Sequence, residues 1–377
     1  MAGKFSMDRL ADAYRRWPAI SKSLLHVLGI FLLAAAVIGA VFRFGDIPNR
    51  ERNGFKRNYL TGVYSGTQER EVQETLTGFA GTTGSTIYFT TSTEGEVLAI
   101  DGKLQGQFKR IRIPFFARWK DSLQYNSLAI QIDSPRIYLF AENKPAIIKT
   151  RLDSSICEIS ILPPGSFTRE VMPDTDRFIL RKVEPGLTDQ IFVRYDLRTG
   201  LLTKEKDISQ RYGDGGIISD GQLLMDRETK KLYYLYYYKN LLLSFDTSLR
   251  GATKLSSIDT TISFKVKTGL VRNGGADAFT NITPANPVNV TSDVQNGLLY
   301  NMSALKADNE PDRFFAANSI IDLIDLRKGN YLGSIVLPAV NGSKLQRFLM
   351  SKGRLIGMYT HKVVIYDGKT DLVRPDQ

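Results

Sequence analysis

The chain has 377 residues, with 50 Lys and Arg against 39 Asp and Glu, two His and one Cys. The formal charge of +11 suggests a nucleic-acid binder, but residues 1–57 hold ten basic and four acidic groups, and the remaining 320 hold 40 and 35 with no basic run. That distribution excludes nucleic acid as a partner. A single cysteine excludes an internal disulfide, and two histidines are too few for histidine metal clusters or most nucleophilic triads.

In chain order, residues 1–23 come first as a short amphipathic segment. Met7, Leu10, Ala11, Tyr14 and Trp17 recur at helical spacing with Arg9, Arg15 and Arg16 between them, the pattern of a helix lying in a membrane interface. Trp17 suits the headgroup level, and Lys22 is placed to snorkel. Residues 24–42 follow, LLHVLGIFLLAAAVIGAVF, with no Asp, Glu, Lys or Arg. At about 1.5 Å per residue this run matches a hydrocarbon core of roughly 30 Å, which predicts a transmembrane signal-anchor helix through Leu24, Phe31, Leu32, Val37 and Phe42. A cleaved signal peptide is the rival, and the run is too long for its usual apolar core. Five basic residues precede the span and five follow within fifteen positions, so flanking charge does not orient it. The short N-terminus sets the expected direction: residues 1–23 cytoplasmic and the C-terminal domain periplasmic, on a single-pass inner-membrane protein whose first partner is the lipid bilayer. Residues 43–68 read as a basic stalk.

From residue 69 the pattern is all-β: alternating apolar and polar residues broken by Gly, Asp and Asn. A unit recurs six times. Each copy closes a short apolar strand on an aspartate, namely Asp101, Asp153, Asp196, Asp246, Asp325 and Asp367. A companion strand precedes each: TIYFT, RIYLF, RFILR, KLYYLYY, GLLYNMS and RLIGMY. A third strand follows five of them. The missing sixth and the unassigned β-prone stretch at residues 71–77 predict that the ring closes by pairing residues 69–77 beside residues 360–367.

These strand pairs, with their I-Y…(V/I)-x-x-D-x-x-x-G pattern, resemble the six-bladed β-propellers of the TolB-like and NHL-like class, in its bacterial membrane-anchored form. The resemblance spans residues 69–368, leaves 369–377 as a tail, and implies an all-β six-bladed propeller whose loops around a central channel bind partners. It implies architecture more firmly than activity.

The interval between Asp246 and Asp325 exceeds its neighbours by about thirty residues, predicting a long loop at residues 265–294 with Asn273, Asp277, Phe279, Asn281 and Asn286 as candidate recognition residues. The tyrosines from Tyr233 to Tyr238 read as blade packing, and Cys157 as a small core hydrophobe. Asp174, Asp176, Asp214, Asp220 and Asp322 are acidic candidates without a complete calcium pattern. The six repeat aspartates read as turn formers. No catalytic residue and no cofactor is expected, with calcium the one metal left open. The leading expectation is a tethered, non-enzymatic propeller holding a protein or peptide partner. The alternatives are a calcium-dependent lactonase-type hydrolase and a docking subunit of a periplasmic redox complex.

Overall fold

The computed structural model describes residues 18–44, 53–113, 128–142, 144–154, 156–184, 189–205, 207–259, 266–273, 276–284 and 286–368. Side chains are not described at 19–22, 25, 41–44, 65–67, 272, 273 and 276–278. The chain divides into two units, Met1–Arg52 and Asn53–Gln377.

In the first unit the apolar run forms helix α1, Ala19–Phe44. Leu24, Phe31, Leu32 and Val37 on it are each more than half exposed. Among the described residues no helix is long and apolar enough to cross a membrane; on α1 these are, for side chains, positions 23, 24 and 26–40. Residues 1–17 of the expected interfacial segment, Arg15, Arg16 and Trp17 among them, lie outside the described residues, as do the side chains of Lys22 and Phe42 and the tail at 369–377.

The second unit is a six-bladed β-propeller. Blade 1 is β2 (Leu76–Thr83), β3 (Thr86–Thr91), β4 (Glu96–Asp101) and β5 (Lys109–Arg112). Blade 2 is β6 (Leu128–Asp133), β7 (Arg136–Ala141), β8 (Ala146–Arg151) and β9 (Glu158–Ile161). Blade 3 is β10 (Phe167–Val171), β11 (Arg177–Val183), β12 (Gln190–Asp196) and β13 (Leu202–Lys204). Blade 4 is β14 (Gly221–Asp226), β15 (Lys231–Tyr236), β16 (Leu242–Asp246) and β17 (Thr253–Leu255). Blade 5 is β20 (Asn289–Gln295), β21 (Leu298–Ser303), β22 (Asn318–Asp325) and β23 (Asn330–Pro338), with the short helix α2 (Asp312–Ala317) between β21 and β22. Blade 6 is β24 (Arg347–Ser351), β25 (Arg354–Tyr359) and β26 (Lys362–Gly368), completed by β1 (Tyr64–Glu71) from the start of the unit.

Ring closure therefore occurs as the repeat count demanded, in a shifted window: of the expected 69–77, Glu69, Arg70 and Glu71 pair beside Val364, Val363 and Lys362, and the rest of the closing strand lies before them. The closing strand is β1 at 64–71, antiparallel to β26 with Glu69 opposite Val364. Residues 72–75 form instead a corner leading into the first strand of blade 1, which begins at Leu76. Each blade has four strands where the repeat showed three. The unseen one is the first, and neighbouring first strands lie against one another around the axis. These strands read poorly because they carry mixed side chains and bulges, as between Leu76 and Gly78, Phe167 and Arg169, and Asn289 and Thr291.

Register explains the repeated tyrosine. Tyr88, Tyr138, Ile179, Tyr233, Tyr300 and Ile356 occupy one position in the second strands, opposite Ala99, Lys149, Arg194, Ser244, Leu323 and Ile365 in the third. The six apolar clusters each join two adjacent blades, from Tyr88 with Leu139 between blades 1 and 2 to Phe89 with Ile365 between blades 6 and 1. A blade alone leaves both sheet faces bare; the ring covers all of them. Each fully buried Leu, Ile or Phe contributes roughly 1.5–3 kcal/mol. Tyr234 and Tyr236 pack toward blade 3, Tyr233 and Leu235 toward blade 5, as expected for core. Cys157 is only partly buried against the cluster between blades 1 and 2.

The turn aspartates behave as expected in four copies: Asp101, Asp196, Asp246 and Asp325 each accept backbone N–H bonds from the residues that follow. In blade 2 the equivalent register position is Arg151, opposite Arg136, and Asp153 lies two residues further on, paired with Arg151 at 2.8 Å.

The expected stalk also ends earlier. Residues 53–63 lie against blade 5: Leu60 N–H donates to Ser334 O at 2.9 Å and Ser334 N–H to Asn58 O at 2.8 Å, adding a short parallel edge to β23. Arg57 is buried there, its Nε and Nη2 on Asp322 at 2.7 and 3.0 Å and its Nη1 on Glu310 at 2.9 Å. Tyr59 Oη donates to Glu310 at 2.6 Å and Ser334 Oγ to Asp322 at 2.5 Å. These eleven residues form a clasp on the ring.

Candidate functional site

The long insertion is a hairpin. β18 (Thr268–Asn273) and β19 (Ala276–Asn281) pair antiparallel, Leu270 opposite Phe279, as a separate two-stranded sheet between the last strand of blade 4 and the first of blade 5. The expected loop at 265–294 is thus corrected: 268–273 and 276–281 are paired strands, and Asn289 onward already belongs to blade 5. Inter-blade connections lie on the rim that also carries the loops between second and third strands, so hairpin and α2 share that rim. The opposite rim carries the tight aspartate turns.

On this rim the hairpin and blades 3 and 4 enclose a cleft of about 330 Å³, lined by Thr168, Gln190, Asp220, Tyr238, Phe279 and Asn281 among others. Phe279 stands 3.4 Å from where a Cβ on Gly215 would lie, and the Tyr238 hydroxyl hydrogen-bonds the Asn281 side chain. Gly216 is held at φ +80, and a Cβ there would meet Gln190 and Arg181 at 2.9–3.2 Å. Glycine is required for that close approach.

Beneath the cleft two arginines share one carboxylate. Arg169 Nη2 donates to Asp220 Oδ2 at 2.8 Å and Nε to Gly221 O at 2.6 Å, which ties blade 3 to blade 4. Arg181 donates to Gln190 Oε1 at 3.0 Å, Gly216 O at 3.0 Å, Ser219 Oγ at 2.7 Å and Asp220 Oδ1 at 3.4 Å. Their guanidinium groups stack over Tyr237 and Tyr234 at 5.5 and 5.3 Å. Thr168 Oγ1 donates to Gln190 Oε1 at 2.6 Å.

Glu142 and Glu170 stand beside Arg169. Burial, partly offset by Arg169 and reinforced by Asp220, pushes Glu142 up to about 7. Burial, reinforced by Glu142 and offset by Arg169 and a hydrogen bond from Gln131, pushes Glu170 up to about 8. The two carboxyls titrate as a coupled pair near neutrality. With both protonated, the group around Arg169, Arg181 and Asp220 carries a net positive charge; with both ionised, a net negative one. The arrangement offers hydrogen-bonding edges, the aromatic rings of Tyr238 and Phe279 and an adjustable charge, a surface suited to recognition.

Of the candidate recognition residues, Phe279 and Asn281 reach the cleft. Asn286 is exposed outside it. Asn273 and Asp277 lie on the two hairpin strands, opposite Ala276 and Arg272. Asp220 is the one acidic candidate at the cleft. Asp214 nearby caps its own turn, accepting N–H bonds from Gly216 and Ile218 at 3.0 and 2.7 Å. Asp174 does the same at the opposite rim, and Asp176 pairs with Lys149 at 3.2 Å. Asp322 belongs to the clasp. Among the described residues no three His, Cys, Asp or Glu side chains are grouped to hold a metal. Sequence reasoning missed Glu142, Arg169, Glu170, Arg181 and Gln190. The one available signal was the adjacent Arg169 and Glu170 within the short strand FTREV.

No protein-family model matches the chain, and no curated protein matches it. Solved structures share its fold. A DUF4221 family member from Bacteroides vulgatus is 13% identical, with a TM-score of 0.50 over 83% of this chain and 99% of that one. BamB from Moraxella catarrhalis is 12% identical, with a TM-score of 0.38 over 79% of this chain and 85% of its own. A luciferin-regenerating enzyme is 11% identical, with a TM-score of 0.43 over 81% and 96%. At these identities the likeness is one of fold alone.

Proposed function

We propose that the chain is a membrane-tethered, non-enzymatic propeller of the TolB-like or NHL-like membrane-anchored type, holding a protein or peptide partner on the periplasmic face of a bacterial inner membrane. The observation that carries the binding reading is the cleft between the hairpin and blades 3 and 4. It joins an aromatic side chain, Phe279, to hydrogen-bonding groups of Thr168, Gln190, Tyr238 and Asn281, and long insertions on a rigid scaffold are common recognition elements. The tether reading is supported by the uncharged run at 24–42 and the exposed apolar side chains of α1, which lipid would cover.

Two measurements test these parts separately. A reporter enzyme active only after export, fused behind Gln377, is expected to be active and to remain in the membrane fraction under high salt; silence of the fusion, or its release by salt, refutes the tether or its direction. Affinity capture from detergent-solubilised membranes is expected to retain a protein with the full chain and lose it with Phe279→Ala plus Asn281→Ala. Equal capture by both refutes the cleft as the binding surface.

A further inference from the structure

The repeat exposes an unmatched charge on the flank of blade 3. At the third-strand position facing the next blade, four blades carry Ala99, Ser244, Leu323 and Ile365, and two carry cations, Lys149 and Arg194. Lys149 of blade 2 reaches Asp176 of blade 3 at 3.2 Å. Arg194 of blade 3 is half-buried, and no carboxylate pairs with it among the described residues. It lines instead a cleft of about 640 Å³ between blades 3 and 4, together with Lys204, Glu205, Asp207, Arg250 and Gly251.

Arg194 therefore lacks the direct carboxylate contact that Lys149 has, and a guanidinium gains most from a charge-assisted hydrogen bond made at contact distance. The opposite wall is a fixed turn: Asp246 accepts N–H bonds from Ser248 and Arg250 at 2.8 and 2.9 Å. Leu249 and Gly251 hold φ of 60 and 66. This presents the exposed Arg250 at the cleft mouth. Glu205 keeps its negative charge in the lining, but its oxygens are turned to the backbone N–H groups of Ile208, Ser209 and Phe192 at 2.6, 3.2 and 3.4 Å rather than to Arg194. Lys204 is paired with Glu184. That leaves Arg194 and Arg250 facing the exposed Asp207, in a space the size of a small-molecule site.

We propose that this inter-blade cleft binds a small organic polyanion, with Arg194 making the charge-assisted contact to a carboxylate or phosphate group and Arg250 the second. It is separate from the rim cleft and stands whether or not the chain is tethered.

The test uses residues 53–377, which contain the whole closed ring and all six inter-blade clusters, titrated calorimetrically with citrate and with pyrophosphate at constant ionic strength. Saturable one-to-one binding is expected, weakened at least about tenfold by Arg194→Gln and by Arg250→Gln. Asp207→Asn is expected to tighten it, and Arg112→Gln on the far outer strand of blade 1 to leave it unchanged. Citrate and pyrophosphate responses distinguish a carboxylate from a phosphate ligand. If Arg194→Gln fails to fold, Arg250→Gln carries the test. Absence of saturable binding, or equal loss with Arg112→Gln, overturns the site.

Discussion

Two arginine–carboxylate networks in the propeller are built from the same groups and do opposite things. In the clasp one arginine, Arg57, serves two carboxylates, and all three side chains are almost fully buried. On the rim two arginines, Arg169 and Arg181, serve one carboxylate, Asp220, whose side chain keeps 28% exposure beside an open cleft. In the first, every charge is spent on holding the entering chain to blade 5. In the second, the Asp220 carboxylate and polar edges remain accessible, with two titratable carboxyls held in the wall beside Arg169. Degree of closure, not the residue types, separates a structural network from a recognition surface.

The sharpest way to break the comparison is to remove Arg57. Arg57→Ala leaves Asp322 and Glu310 buried without their cation, and such a loss typically costs 3–5 kcal/mol, about as much as any single change. Urea denaturation of residues 53–377 is expected to show a midpoint shift of that size, with the closing strand β1 exchanging its amide protons early. A loss below about 1 kcal/mol would mean the clasp is held by its backbone edge on β23 alone. Arg181→Ala is expected to cost less, since Asp220 retains Arg169 and solvent.

How much of this was legible beforehand follows from where each residue's partners lie. The second and third strands of every blade are buried on both faces, so TIYFT or LLYNMS shows as an apolar run, and the six copies and the closing event could be counted. The first strands line the axis, where solvent and neighbouring strands share the surface. NVTSDVQ and FTREV therefore lack a clean alternation and were invisible. The rim network escaped for a different reason: Glu142, Arg169 and Asp220 come from blade 2, blade 3 and the connection to blade 4, far apart in the chain until the ring closes. Arg57 escaped because a basic residue in a basic stretch reads as solvated until its two carboxylates, about 250 positions later, are in place.

The rim carboxyls give the next largest effect, and its sign is opposite to that of an ordinary ion pair. Glu170 is raised from 4.5 to about 8 in the folded protein, so the fold favours its protonated form. Its contribution is whole below about pH 4.5 and is lost as pH rises through 8. Glu170→Gln keeps the neutral shape and removes the titration. It is expected to raise stability at pH 8 by about 1–2 kcal/mol, after discounting for channel solvent, and to leave stability at pH 4.5 unchanged. Thermal melts across that range check this; a wild-type slope identical to the variant's would mean the pair stays ionised and the rim negative. The clasp supplies the contrast, since Arg57→Ala is expected to hurt at every pH where Asp322 and Glu310 are ionised.

The smallest stability change is expected from the largest alteration. Replacing residues 266–282 by a short Gly-Ser connection removes a hairpin on which Leu270 and Ile282 are more than half exposed and whose anchors at this rim include the Phe279 approach to Gly215 and the Tyr238–Asn281 hydrogen bond. Shortening a surface connection changes loop entropy only slightly, and no inter-blade cluster loses more than a peripheral contact. Val266, which is buried, is the exception, so a version that retains it provides the control. Stability is expected to move by less than about 0.5 kcal/mol while capture of the partner is lost. Exposed apolar side chains on an element the fold does not need are then accounted for by what they bind. If instead the deletion destabilises the ring by as much as Arg57→Ala, the hairpin is a second clasp, and the distinction drawn between the two networks fails.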